Sequence, residues 1–465
     1  MSGFRWTAAE VERALSLPES GSGGEFARVW TDTRSLRAGD LFVALAGERF
    51  DAHDFLDQAA AAGATGAVVS RIPEDAPREL RYFQVSDTLR ALGALARHYR
   101  DRLDARVVGV VGSNGKTTTK ELVRAALSRH FRVHATQGNY NNQVGVPLTL
   151  LAAPRDAEAV VVEMGTNEPG EIAILTRIVR PDAAVITSIG EEHLEKLGDL
   201  AGVLEEEIGI LRGLPDDGVA VVAEEPEALP ERAREILGGT RVRVAGFAPT
   251  SGLHPEGGPE AIEFLPDGST RWRWNALDIH LPLPGRWNVR NALLALGLEQ
   301  EWGVPPEEAA LGVEDVARTR LRGEWHHIGE LRVLADCYNS NPPSLAGAVE
   351  LLAAIPAPGR KVAVVGTMRE LGGATAALHE RAARGIAERV GQGIDVVVAT
   401  GAFVGAFAPL ARELGDRLVS CPDPVEAFAV ARPLLRPDDT LLLKASRGEA
   451  LERWLPALEQ AFGGQ

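Results

Sequence analysis

The sequence predicts an α/β protein of three domains: a small α/β unit over residues 1–104, a central unit with a mostly parallel sheet over 105–318, and a C-terminal α/β unit over 319–465. Three observations carry this. The chain has 465 residues, enough for about three domains of ordinary size. Runs rich in Val and Ala alternate with helical patterns, as parallel sheets require. A glycine-rich turn joins an apolar strand to a helix in "RVVGVVGSNGKTTTKE", residues 106–121.

In the first unit "DTRSLRAGDLFVAL" gives a turn and then a strand over 41–45. "HDFLDQAAAAGATGAVVS" gives a helix ending near Gly63 and a strand over 67–70. Glycine closes the helix because it enters the left-handed region freely. The central unit opens with an apolar strand over 107–111, followed by buried-type strands over 159–163, 183–187 and 219–223. Helical periodicity fills 170–179 and 200–213 between them. Residues 241–283 differ: "RVRVAG", "AIEFL" and "RWRWNALDIHLPL" alternate between glycine and proline turns, which predicts an antiparallel excursion. The last unit returns to β/α alternation with "LRVLADC", "KVAVVG", "DVVVAT" and "TLLLKA".

The composition, 45% apolar and 25% charged, is that of a soluble globular protein. No apolar run reaches the ~18 residues of a membrane span, and "MSGFRWTAAEVERAL" is too charged for a secretory signal. The expected location is therefore the cytoplasm. Cys337 and Cys421 are the only cysteines, so no disulfide framework or cysteine metal site is available. A net charge of −16 argues against nucleic acid or an anionic membrane as partner. Any phosphate ligand must then be met by local cations. Lysine stands at five positions, 116, 120, 196, 361 and 444; Lys116 and Lys444 lie in loops rich in Gly, Ser and Thr.

Strict phosphate-loop spacing would need glycine at 110, where Val stands. What is present is G-x-x-G-K-T, from Gly112 through Ser113, Asn114, Gly115 and Lys116 to Thr117. Glycines let backbone N–H groups face an anion, and a helix from Thr118 would present its positive end. Lys116 can reach the outer phosphates of ATP, and the Thr117 hydroxyl can bind Mg²⁺. Ligands of open α/β sheets sit off the carboxyl ends of strands. Glu163 ends one strand, and "SIGEEHLEKLG" after another carries His193. Carboxylate and imidazole suit a cation beside ATP. Each also reads as something plainer, Glu163 as a solvated loop residue and His193 as a helix cap. The run Glu205, Glu206, Glu207 reads first as a solvated face.

With these segments in view, the chain resembles the Mur ligase family of ATP-dependent amino-acid-adding enzymes over nearly its whole length. "DTRSLRAGDLFVALAGERFDAHDF", "GVVGSNGKTTTKE", "TQGNYNNQVGVPLTLL", "VVEMGTNEPGEI", "HLEKLGDLAGV" and "LPGRWNVRNALLAL" carry the likeness, with "LADCYNSNPPSLAGAVELL", "GTMRELG" followed by His379, and "KASRGEALE". The pattern Y-N-x-N-P-x-S, Tyr338 to Ser344, is similar to that of the members that add D-alanyl-D-alanine. Folylpolyglutamate synthases share the ATP loop but not this set.

The resemblance implies a UDP-substrate domain, a central ATPase domain and a Rossmann-like C-terminal domain that closes over them. It implies an ATP-dependent ligase joining D-alanyl-D-alanine to UDP-N-acetylmuramoyl-tripeptide through an acyl phosphate, for peptidoglycan synthesis, acting as a monomer. Another amino-acid or polyglutamate ligase, or an inactive nucleotide-binding homologue, are the alternatives. By the resemblance, Thr33 and Arg34 lie near the uridine, and Asn139, Asn141 and Asn142 line the muramoyl-peptide path. The loop Gly112–Thr118 holds the phosphates, and Thr117, Glu163 and His193 bind Mg²⁺. Asn288, Asn291, Arg322, Asp336, Tyr338 and Asn339 surround base and sugar, and Lys444, Ser446 and Arg447 approach the reacting end. Three departures stand out. Glu207 occupies the place of a carbamylated lysine and is expected to replace its charge at the metal, with Glu206 next in line. Trp287 stands for His, and Thr367 for Asp.

Overall fold

The computed structural model describes residues 5–21, 23–47, 50–317 and 320–464. The expected boundary at 318/319 lies outside the described residues. A short antiparallel ribbon, β1 (Trp6–Thr7) with β2 (Glu25–Phe26), precedes a parallel sheet of β3 (Val29–Trp30), β4 (Leu41–Val43), β5 (Gly66–Val69) and β6 (Arg81–Gln84) in that order.

The central sheet comprises β7 (Arg106–Val111), β8 (Val133–Ala135), β9 (Ala159–Glu163), β10 (Ala183–Ile186), β11 (Val219–Ala223) and β12 (Val242–Ala245). Their order is β12-β11-β10-β7-β9-β8, and every pairing is parallel. Both faces are covered. Val107 and Val111 enter one apolar cluster while Val108 and Val110 enter the other, which is why β7 reads as an unbroken apolar run. β12 corrects the sequence expectation: "RVRVAG" is the parallel edge strand of this sheet, not part of the antiparallel excursion. Its Val/Arg alternation reports one-sided exposure, which an edge strand shares with a hairpin. Val242 is buried while Arg243 turns out to Glu301 at 2.7 Å. The excursion itself is β13 (Glu263–Phe264), β14 (Thr270–Trp274) and β15 (Leu277–Leu281), all antiparallel.

The third sheet holds β16 (Glu324–Ile328), β17 (Leu331–Ala335), β18 (Lys361–Val365), β19 (Val396–Ala399), β20 (Leu418–Ser420) and β21 (Thr440–Lys444). Its order is β16-β17-β21-β18-β19-β20, parallel except for β16. The helix after β7 runs Lys116–Leu127, beginning two residues before the expected Thr118. It buries Leu122, Val123, Ala126 and Leu127 in the cluster shared with the helices Arg286–Glu301 and Pro306–Glu314. Truncating a buried leucine of this kind to alanine costs about 2–5 kcal/mol, so the loop ahead of this helix rests on a firm base. Both cysteines are free and buried, and burial pushes the Cys337 thiol up to about 12. Among the described residues no helix is long and apolar enough to cross a membrane.

Candidate active site

In the central sheet the chain leaves β7 for the β8 side and later returns to β10 on the other side. The carboxyl ends of β7, β9 and β10 therefore meet at a switch of direction, where such sheets bind ligands. A cleft of about 510 Å³ opens there, walled on its far side by the third domain. Ser113 to Thr118 form its floor.

Backbone geometry selects the residue at 115. Its φ is +84°, and a Cβ there would meet Asn291 Oδ1 at 2.8 Å. The loop's N–H groups divide into two sets. Gly112 N–H donates to Glu207 Oε2 at 2.9 Å, Ser113 N–H to the Ser188 carbonyl at 2.8 Å, and Asn114 N–H to Ser188 Oγ at 2.9 Å. Those three hold the loop in shape. The N–H groups that open the helix after Gly115 have no acceptor within it, and their residues border the cleft. These are the N–H groups the loop leaves open toward the cleft. Lys116 Nζ donates to the Gly112 carbonyl and lies 3.7 Å from Glu192 Oε1. Burial alone would lower its pKa, but Glu192, Glu207 and Glu163 hold it above the usual lysine value.

Thr117 Oγ1 donates to Glu163 Oε1 at 3.1 Å, and Asn141 Nδ2 donates to the same oxygen at 2.9 Å. Glu163 Oε2 is buried without a hydrogen-bond partner among the described residues. His193 has its Nδ1 2.7 Å from Glu370 Oε2 and its Nε2 3.9 Å from Glu192 Oε2. Burial opposes its charge, yet Glu370 and then Glu192 raise its pKa above the ordinary imidazole value. Glu192 lines the cleft at 5% exposure; burial, offset in part by Lys116, raises its pKa. Glu207 is fully buried and absent from the cleft lining. It stands behind the loop, where Oε2 holds Gly112 N–H and Oε1 is buried without a hydrogen-bond partner among the described residues. Desolvation raises its pKa to about 7. Glu206 is further off, capping the turn at 170–172 through Gly170 N–H and Ile172 N–H.

Asn139, Asn142, Asn288, Asn291, Trp287, Arg322, Asp336, Tyr338, Asn339 and Lys444 all border the same cleft. Some also do structural work. Asn142 Oδ1 accepts from Gly145 N–H at 2.9 Å, and Asn288 Nδ2 donates to the Pro284 carbonyl at 2.8 Å. Arg322 lies 4.0 Å over the Tyr338 ring, and Lys444 is held by the Asn339 carbonyl at 2.6 Å and by Asp336 at 3.1 Å. Ser446 and Arg447 do not line the cleft. Ser446 Oγ accepts from Arg369 N–H at 3.0 Å, and Arg447 turns to Glu452 at 2.9 Å. Thr33 and Arg34 sit on a turn after β3, outside this cleft, with Arg34 paired to Asp32 at 2.8 Å. Thr367 Oγ1 accepts from Ala402 N–H at 3.1 Å. Sequence reasoning missed Glu192, which sits inside "GEEHLE" in the shadow of His193, and Glu370, which becomes a neighbour of His193 only through the tertiary fold.

A doubly covered parallel sheet with a lysine-bearing glycine loop at its switch point defines a phosphate-loop α/β protein. Three family models match the chain: "Mur ligase family, catalytic domain" over residues 25–100, "Mur ligase middle domain" over 110–298, and "Mur ligase, glutamate ligase domain" over 320–447. The UDP-N-acetylmuramoyl-tripeptide–D-alanyl-D-alanine ligase of Escherichia coli (strain K12) is 37% identical, covering 93% of each chain. Its counterpart in Bacillus subtilis (strain 168) is 36% identical, covering 91% of each. A crystal structure of MurF from Acinetobacter baumannii has TM-score 0.87 at 31% identity, covering 99% of this chain and 100% of that one. MurF from Thermotoga maritima in complex with ADP has TM-score 0.79 at 27% identity, covering 94% and 97%. The chain belongs to the Mur ligase family.

Proposed function

We propose that this protein is an ATP-dependent ligase that joins D-alanyl-D-alanine to UDP-N-acetylmuramoyl-tripeptide, acting in the cytoplasm as a monomer during peptidoglycan precursor synthesis. One observation carries the reading. The phosphate loop, with Lys116 and its open N–H groups, shares a single cleft with Asp336, Tyr338, Asn339 and Lys444 of the third domain. A triphosphate, a carboxylate and an amine can be gathered there. Relatives of that name, matched over nine-tenths of the chain, support the same substrates, and the ADP complex of a similar structure supports ATP.

In the reaction the peptide's terminal carboxylate attacks the γ-phosphorus, the bond to the bridging oxygen breaks, and ADP leaves an acyl phosphate. The amine of D-alanyl-D-alanine then attacks the acyl carbon and gives up a proton as phosphate departs. Such chemistry needs positioning and charge neutralisation more than a protein nucleophile. Lys116 leaves the Gly112 carbonyl to meet the outer phosphates. Arg322 and Lys444, held by Tyr338 and Asp336, supply further positive charge on the opposite wall.

Magnesium fits the donors present. The Thr117 hydroxyl lies against Glu163 Oε1, Glu163 Oε2 has no hydrogen-bond partner among the described residues, and His193 stands beyond Glu192. Among the described residues no group of three or more His, Cys, Asp or Glu side chains is preformed for a metal. Magnesium usually keeps several water and phosphate ligands and takes few from protein. When bound it would neutralise charge on the phosphates. Glu207 serves such a site through the loop it holds.

Phosphate release with UDP-N-acetylmuramoyl-tripeptide and a panel of amines tests the substrate assignment. Turnover is expected with D-alanyl-D-alanine and not with glutamate, lysine or diaminopimelate. Turnover with one of those instead would assign a different ligase, and ATP binding without turnover an inactive homologue.

A further inference from the structure

His193 and Glu370 face each other across the boundary between the central and third domains, and both have left-handed backbones although neither is glycine. Their φ angles are +50° and +65°. Such conformations are strained for a residue with a side chain and persist where surroundings impose them. Here the surroundings are visible. The segment carrying Glu370 is pinned by Met368 N–H to His379 Nε2 at 2.9 Å, by Arg369 N–H to Ser446 Oγ at 3.0 Å, and by Arg369 to Glu449 at 2.9 Å. It presses on the central domain so closely that a Cβ at Gly372 would lie 3.0 Å from Glu195 Cα. Arg381 fastens the same contact to Glu191 at 2.6 Å. The outcome is an ion-pair contact that brings His193 Nδ1 to 2.7 Å from Glu370 Oε2.

We propose that Glu370 is a positioning residue for His193: seated with the third domain, it fixes the imidazole so that Nε2 faces the cleft as a metal donor. This rests on the reading of His193 as a donor to magnesium. A carboxylate that accepts one ring N–H fixes the orientation and tautomer of the other nitrogen. Because Glu370 arrives on the third domain, the metal site is complete only when that domain is docked, which couples closure to metal binding. The Glu370 side chain is 58% exposed, so its loss leaves the fold intact.

The test is Mn²⁺ titration by electron paramagnetic resonance of the full-length protein with a non-hydrolysable ATP analogue, with thermal melting alongside. Glu370→Ala is expected to weaken Mn²⁺ binding about 10–100-fold at unchanged melting temperature. Glu370→Gln, which retains an oxygen to accept from Nδ1, should recover most of the loss. Wild-type Mn²⁺ affinity in Glu370→Ala, with affinity lost in His193→Ala, overturns the proposal and spares the reading of His193. Wild-type affinity in both variants overturns that reading as well.

Discussion

Glu299 lies on the helix that also brings Asn288 and Asn291 to the cleft, fully buried with neither carboxylate oxygen hydrogen-bonded among the described residues. Desolvation raises its pKa well above the ordinary carboxylate value. The sign follows. Below the unfolded pKa the group is protonated in both states and costs no ionisation. As pH rises above that value the unfolded chain releases the proton while the folded one retains it, so stability falls. Glu299→Met should stabilise the protein by about 1–3 kcal/mol, the penalty of an unsatisfied buried polar group. The gain in melting temperature should be larger at pH 8 than at pH 5; an equal gain at both would contradict the assignment. The sequence could not reveal this, because a glutamate in a helical pattern reads as exposed. Lys116 and Glu163 were legible because a strand end and a glycine loop fix where a side chain must go. Glu207 was legible as a residue of interest, but its position behind the loop depended on the packing of a helix 95 residues away.

Element boundaries tracked the sequence where apolar runs ended in turns, as at β9 and β11, and drifted where alternation was ambiguous, as at β12. The motif Y-N-x-N-P-x-S shows how one stretch serves two ends. Tyr338 and Asn339 border the cleft, while Asn341 and Ser344 form a reciprocal cap on the helix Pro342–Ala354. Asn341 Oδ1 accepts from Ser344 N–H and Ser344 Oγ from Asn341 N–H, both at 3.0 Å. Half of the motif is therefore helix-start chemistry. Asn341→Ala should lower stability by about 1 kcal/mol, measured by denaturant unfolding. It should also weaken nucleotide binding, because Pro343, Ser344 and Gly347 of that helix line the cleft. Intact stability would show the cap to be dispensable.

At the scale of the whole molecule, the acidic chain answers its own charge problem locally. Lys116, Arg290, Arg322 and Lys444 all border one cleft within a protein of net charge −16. The resemblance implies a third domain that closes over the other two. In the structure the third domain is seated on the central one, joined by the Glu191–Arg381 and His193–Glu370 pairs. No sequence pattern announces such contacts, since each half is ordinary until the domains meet. The central claim is that this cleft hands the outer phosphoryl group of ATP to a carboxylic acid. The direct measurement uses UDP-N-acetylmuramoyl-tripeptide with ¹⁸O in its terminal carboxylate, turned over with ATP and D-alanyl-D-alanine. Mass spectrometry of the released phosphate should find a single labelled oxygen transferred from the peptide. Amide formed with unlabelled phosphate would contradict the account.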